Sequence, residues 1–226
     1  MRDNKTSQPA QAYDSKIAKT IPFYWTFHEQ AIDLVQEARP NPESWLDAGG
    51  GTGSLIAQAA EIFPATRFVL SDPNGPMLEM AKGKFAGNED IKLEYVLAGT
   101  EELALPQASF DVITAIISHH YFDVETRRKA TENCLRMLKR GGIYINVESI
   151  RPSTEAGLKI GIARWYRAEL RNGKTDAEVA HHLGRYGIEF FPIKIEEHLN
   201  MMREVGFSTV ELFWASVMQV GFYGIK

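Results

Sequence analysis

Along most of the chain, runs of apolar residues at helical spacing alternate with short, dense apolar runs. Phe23, Phe27, Ile32, Leu34 and Val35 predict a helix over about Phe23 to Ala38, closed by Pro40 and Pro42, which cannot continue it. The pattern then predicts strand Ser44 to Ala48, helix Ser54 to Phe63, strand Thr66 to Ser71, helix Pro76 to Phe85 and strand Ile91 to Leu97. It continues with strand Phe110 to Ile117, helix Glu125 to Leu138 and strand Ile143 to Val147, with Gly141 and Gly142 expected to stop the helix before that strand. Strands separated by helices in this way imply parallel βαβ units, because a parallel neighbour needs a crossover connection.

The segment Thr154 to Tyr186 keeps a helical period but is rich in Arg, Glu, Trp and Tyr, and it reads as a helical cap inserted over about residues 152–190. A helix over about Ile195 to Val205, ended by Gly206, precedes FSTVELFWASVMQVGFYGIK, which reads as two β runs broken near Ala215 and Ser216. The expected fold is therefore α/β: a doubly wound, seven-stranded sheet of five parallel strands closed by a C-terminal β pair with one antiparallel strand, plus the cap. Residues Met1 to Ala12 are polar and aperiodic, so they are expected to form a flexible tail before a single domain over 13–226, with N-terminal helices over 13–40.

At 226 residues, with 44% hydrophobic and 24% charged residues, the composition is that of a folded globular domain. Lys plus Arg number 25 against 29 Asp plus Glu, a net charge of −4 with pI near 5.9, which provides no basic field for phosphate backbones and makes a nucleic-acid partner unexpected. The lone cysteine, Cys134, cannot form an intrachain disulfide, and no early apolar stretch resembles a signal peptide. The most apolar run, around Val112 to Ser118, is far short of the roughly 18 residues of a membrane span. A cytoplasmic monomer or homodimer without a membrane partner is expected. The adjacent His181 and His182 would point about 100° apart on a helix, and no cluster has metal-ligand spacing, so no metal is expected.

The first strand ends in LDAGGGTGS, which puts Asp47 at the strand end and Gly49, Gly50, Gly51 and Gly53 in the turn opening the next helix. So many glycines lose chain entropy on folding, and what they provide is close backbone approach to a ligand and access to positive φ. A dinucleotide loop would have a glycine where Ser54 stands, and no Arg or Lys in the loop could meet a pyrophosphate. An acid at position 47 instead suits an ammonium group. Asp72, at the end of the second strand, could accept two hydrogen bonds from a ribose diol, and it could also cap the following helix. Together these features ask for an adenosine carrying an amino acid.

On these residues the chain resembles the class I S-adenosylmethionine-dependent methyltransferases, which have a Rossmann-like fold. Four segments carry the resemblance in order: LDAGGGTG, VLSDPNGPMLEMAK, LALPQASFDVITA and CLRMLKRGGIYINVE. The resemblance implies that Asp47, Gly49 and Gly51 surround the methionine end of the cofactor, while Asp72 holds the ribose hydroxyls. Asn74 and Met77, beside Pro73, would border ribose and adenine. Where many relatives carry Asp-Ala after the third strand, this chain reads Ala98-Gly99-Thr100-Glu101, so adenine contact falls to Thr100, Glu101 or backbone. Ser118 and His119 would face the methionine moiety. The leading Tyr13-Asp14 and Ile21-Pro22-Phe23-Tyr24, and the Glu197-His198 pair, are also similar to the carboxy-S-adenosylmethionine synthase branch, in which Tyr24 would match a cofactor-contacting tyrosine.

The function implied is transfer of the sulfonium methyl group to a small-molecule acceptor by in-line displacement, leaving S-adenosylhomocysteine. The alternatives are a synthase-like enzyme and a non-catalytic S-adenosylmethionine-binding scaffold. Aromatic residues Tyr13, Tyr24, Trp25 and Tyr121 could shape the pocket around the sulfonium or simply pack. In SHHYF, His119 or His120 could serve as a general base, a cofactor contact or a structural hydrogen-bond partner. Glu148, after the fifth strand, and Arg185-Tyr186 in the cap are candidates for the acceptor pocket. Arg164, Arg167 and Arg171 fall at helical spacing and read as a solvated face.

Overall fold

The protein is described here by a computed structural model covering Thr6 and residues 8–226. Of the tail expected over Met1 to Ala12, residues 1–5 and 7 lie outside the described residues, and Ala10–Ala12 forms a 3-10 turn with Ala10 buried. Two helices follow, α1 (Tyr13–Thr20) and α2 (Tyr24–Ala38). The alternating units are β1 (Ser44–Ala48), α3 (Ser54–Ile62), β2 (Arg67–Asp72), α4 (Gly75–Phe85), β3 (Leu93–Leu97), β4 (Phe110–Ile116), α5 (Val124–Met137) and β5 (Leu138–Ser149). The cap consists of α6 (Glu155–Arg171) and α7 (Asp176–Leu183), after which α8 (Ile195–Val205) leads into β6 (Thr209–Ser216) and β7 (Gln219–Ile225).

The strands form one seven-stranded sheet in the order β3-β2-β1-β4-β5-β7-β6, in which β1 to β5 run parallel and β7 pairs antiparallel with both β5 and β6. The expected fold class holds. Every residue of β1 is buried, as a central strand covered on both faces requires, and successive side chains enter opposite layers. Leu46 joins the core with Ile113, Tyr144 and Phe222, whereas Trp45 packs with Phe68, Val112 and Leu55. A third cluster beneath the cap contains Ile17, Phe27, Trp165, Val179 and Phe190, so the cap shares a core with the leading helices. Trp165 Nε1 donates to the carbonyl of Thr20 at 2.9 Å, joining α6 to the end of α1.

Two boundaries depart from expectation for identifiable reasons. Gly141 and Gly142 do not stop a helix: α5 ends at Met137, Leu138 is already extended, and both glycines lie inside β5. There the β4–β5 register shifts between Phe110 and Val112, a bulge that takes Gly141 to φ +71° and brings the backbone so close that a Cβ on Gly142 would stand 3.0 Å from the Asp111 carbonyl oxygen. The reversal between β6 and β7 falls at Val217 and Met218, just beyond the expected Ala215 and Ser216, with Val217 at φ 52°. Among the described residues, no helix is long and apolar enough to cross a membrane.

Candidate active site

In an open parallel sheet the carboxyl ends of the strands diverge where the strand order reverses, and here that point lies between β1 and β4. A cavity of about 320 Å³ occupies it. Its floor is the glycine loop, where Gly49 and Gly50 N–H groups donate to the Ser71 carbonyl at 2.8 and 3.0 Å and fasten the loop to the end of β2. Gly49 sits at φ +71°, and a Cβ there would stand 2.6 Å from Ser118 Cβ on the opposite wall; a Cβ on Gly50 would stand 2.5 Å from Asp47 Oδ2. At the end of β4, Ile117 also lines the cleft with φ 53°, a strained conformation for a β-branched residue.

The leading helix closes over the loop. Asp14 accepts from Thr52 Oγ1 at 2.5 Å and from Ser54 Oγ at 3.3 Å, and its other oxygen lies 2.8 Å from Lys84 Nζ. This network holds Tyr13 against the cleft beside Tyr24 from the first turn of α2. Burial, more than neighbouring charge, pushes both phenols above their ordinary range, so they are protonated hydrogen-bond donors.

The cleft is acidic. Asp47, Asp72 and Glu101 line it, and no Lys or Arg does among the described residues. Asp47 is buried, accepts from Thr114 Oγ1 at 2.8 Å, and has its pKa pushed up to about 7, mainly by burial and further by Asp72. Asp72 accepts from the backbone N–H of Gly51 at 3.0 Å through Oδ2 and of Asn74 at 2.8 Å through Oδ1. Burial still raises its pKa to about 6 against those two bonds. Each Asp72 oxygen keeps a lone pair for an incoming hydroxyl. Glu101 Oε2 is buried without a hydrogen-bond partner, and the turn carrying it is held from α5 by Asn133, whose side chain donates to the Thr100 and Glu101 carbonyls at 3.0 and 3.1 Å. A cavity lined by three carboxylates, one with an orphaned buried oxygen, calls for a ligand with cationic and hydroxyl groups, which the methyl donor's ammonium, sulfonium and ribose diol provide.

Residues 46–142 match a family model described as a methyltransferase domain. The ubiquinone/menaquinone biosynthesis C-methyltransferase UbiE of Vibrio parahaemolyticus is 33% identical over 181 residues, 78% of this chain and 68% of that protein. The chain belongs to the class I S-adenosylmethionine-dependent methyltransferases. The carboxy-S-adenosyl-L-methionine synthase of Staphylococcus epidermidis is more distant, 21% identical over 222 residues, but spans 98% of this chain and 96% of its own length. Among solved structures, a SAM-dependent methyltransferase of Leishmania major aligns over 96% of this chain and 78% of its own with TM-score 0.67 and 16% identity. PigF, solved with SAH, aligns with TM-score 0.62 and 18% identity over 93% of this chain, which spans 62% of PigF. At these identities the structures share the fold.

Most residues singled out from the sequence surround this methyltransferase's cleft: Tyr13, Tyr24, Asp47, Gly49, Gly50, Gly51, Asp72, Pro73, Asn74, Met77, Gly99, Thr100, Glu101, Ser118 and Tyr121. Gly53 does not reach it; at φ +76° it packs beneath the loop, where a Cβ would stand 2.8 Å from Phe85. His119 does not face the cleft either. Residues His119–Tyr121 form a 3-10 turn that carries the His119 ring away from the cleft, to within 3.2 Å of the Tyr144 hydroxyl, fully buried and with a pKa lowered to about 4 chiefly by burial. His120 and Arg185 border a narrower neighbouring chamber that shares Tyr13, Ile117 and Tyr121 with the main cleft. Glu148 is not a pocket-lining group: fully buried, it accepts the His119 backbone N–H at 3.0 Å and stands 3.2 Å from His120 Nδ1. Burial works to raise its pKa, but the bond and charge of His120, with His119 and His198 nearby, hold it below the usual range. Tyr186 lies outside both cavities and donates to the Ile150 carbonyl at 3.1 Å.

Sequence reading missed His28, which lines the cleft one helical turn after Tyr24, its Nδ1 lying 3.3 Å from Gln58 Nε2 and its pKa lowered to about 3, mainly by burial. The spacing from Tyr24 to His28 places both on one face of α2 and was the available signal. Ser54, Leu55 and Phe122 also line the cleft. Their residue types carry no signal apart from their neighbours.

Proposed function

We propose that this chain binds S-adenosylmethionine in the acidic cleft and transfers its methyl group to a small organic acceptor. The observation that carries the reading is a pair of buried carboxylates, Asp47 and Asp72, lining a cavity without a cationic side chain among the described residues. Asp72 would hold the ribose hydroxyls, Asp47 would face the ammonium end, and Glu101 Oε2 would accept from the adenine amino group. When bound, the cofactor supplies a methyl group already activated by a sulfonium, for direct displacement by an acceptor nucleophile. The chain's own task is to position the acceptor and exclude water, for which the Tyr13, Tyr24, Ile117 and Tyr121 walls are suited.

The acceptor atom is an activated carbon. Supporting this, the UbiE relatives are C-methyltransferases by name; an enol or phenol carbon would attack the methyl group as the methyl–sulfur bond breaks, and the proton on that carbon would then pass to solvent. A second reading, a carboxy-S-adenosylmethionine synthase-like enzyme, is favoured by one observation: that relative matches almost the full chain, cap included.

Calorimetric titration of the purified protein with S-adenosylhomocysteine should give saturable binding, weakened about a hundredfold in Asp72→Ala by loss of charge-assisted hydrogen bonds. Absence of binding by the unaltered protein would overturn the proposal. Mass spectrometry of co-purified ligand separates the two readings, since a mass heavier than the methyl donor by a carboxylate selects the synthase.

A further inference from the structure

We propose that the outward face of α6 is a docking surface for an anionic lipid bilayer. The inner face of this helix is committed to the fold: Gly161, Trp165, Ala168 and Glu169 are buried. The opposite side exposes Lys159, Arg164, Arg167 and Arg171, which at 100° per residue share an arc of about 140°. None of these four side chains has a hydrogen-bond or ion-pair partner in the described structure. The acids of α6 do not offset them, since Glu155 pairs with Arg151 at 2.8 Å and Glu169 is buried between Lys174 and His182. A chain of net charge −4 thus concentrates four unpaired cations on one helix face.

Charge alone would suit any polyanion, and the apolar residues among the cations decide between occupants. Ile160 lies inside the cationic arc and is 62% exposed. Ile162 and Tyr166 flank the arc, half-buried against the cap core, and with Leu158 beyond them they leave an open apolar strip beside it. An isoleucine projecting among arginines gains nothing along a nucleic-acid backbone, whereas at a bilayer it enters the acyl boundary while the arginines meet lipid phosphates. Because the inner face of α6 places Trp165 against the side chamber, docking through the outer face would set that end of the molecule at the membrane surface.

The test is co-sedimentation of the full chain with phosphatidylcholine vesicles, with and without phosphatidylglycerol. Binding is expected only to the anionic vesicles and should weaken as salt rises. The double variant Arg164→Gln/Arg167→Gln should lower the partition coefficient on the order of twentyfold, since each cation near an anionic leaflet contributes about fivefold. Ile160→Ser should lower it severalfold, with the salt dependence preserved. Circular dichroism and S-adenosylhomocysteine titration check that each variant remains folded, as the altered side chains face away from the cleft. Failure to bind anionic vesicles, binding insensitive to both variants, or preferential binding to RNA regardless of Ile160 would overturn the proposal. So would concentration-dependent self-association that the double variant abolishes, which would assign the face to a second copy of this chain.

Discussion

Asp47 and Asp72 concentrate the site's chemistry at the scale of single residues. Their ordinary pKa is near 3.8, and burial moves them to about 7 and 6. A carboxyl group whose pKa is raised on folding contributes stability that is complete below about pH 4 and is lost as pH rises through the folded value. The free protein therefore loses stability from about pH 4 upward, the loss levelling off at pH 6 to 7 where the folded groups ionise, and a ligand whose ammonium and hydroxyl groups favour the ionised forms should bind more tightly as pH passes through 6 to 7. Calorimetry from about pH 5 to about pH 8 should show S-adenosylhomocysteine affinity rising; an affinity that falls would contradict the electrostatic account. Asp47→Asn keeps an acceptor for Thr114 while removing the buried charge. It should stabilise the free protein near pH 8 by about 1–3 kcal/mol in denaturant unfolding, while weakening ligand binding and flattening the upper part of its pH dependence. Both carboxylates were legible in the sequence because each ends a strand beside a turn with a reason to be there. The resemblance put His119 beside the cofactor, but the positive φ at Ile117 and the following 3-10 turn carry its ring to Tyr144 instead.

At the scale of elements, periodicity predicted the helices and strands because nearly every one buries a face, and burial imposes a period. It failed at β5, where glycine has two possible uses that sequence spacing does not distinguish: ending a helix at positive φ, or bulging a strand at positive φ. Only the pairing partner, β4, decides between them. The attachment of α1 to the glycine loop and to α4 was likewise invisible, since Asp14 is far along the chain from Thr52 and Lys84 and meets them only once the chain is folded. That attachment makes its own prediction. Asp14→Ala removes the acceptor shared by Thr52, Ser54 and Lys84 and should release the start of α1, which carries Tyr13. Its ion pair is partly solvated, so the stability cost should be modest, about 1 kcal/mol, but S-adenosylhomocysteine affinity should fall severalfold. Lys84→Ala, which leaves the Thr52 bond in place, should have the smaller effect on affinity. Equal effects would mean that the ion pair, not the hydroxyl network, positions the helix.

At the scale of the molecule, the topology places the acidic cleft at the strand ends, with the leading helix closing over it and the cap covering the neighbouring side chamber, two pieces of different stability. The cap is locked from within: Glu169 is buried between Lys174 Nζ at 2.5 Å and His182 Nδ1 at 2.6 Å, joining α6 to α7. Breaking such a pair would strand a buried charge, which costs several kcal/mol. The leading helix α1 is held at its start by the partly exposed Asp14 network. Local opening follows the weaker attachment, so a ligand of adenosine size should pass when the start of α1, with Tyr13, lifts while its end stays joined to α6 through Thr20 and Trp165. Amide hydrogen exchange tests this directly. In the free protein the α1 amides should exchange well before those of β1, β4 and α6, and S-adenosylhomocysteine should slow α1 while leaving α6 nearly unchanged. Protection gained mainly in α6 and α7 would mean instead that the cap opens and that the Glu169 cluster is a hinge. The same exchange run with Asp14→Ala should show faster exchange at the start of α1 without ligand and a smaller gain with it, because the substitution loosens an attachment that ligand closure would reinforce.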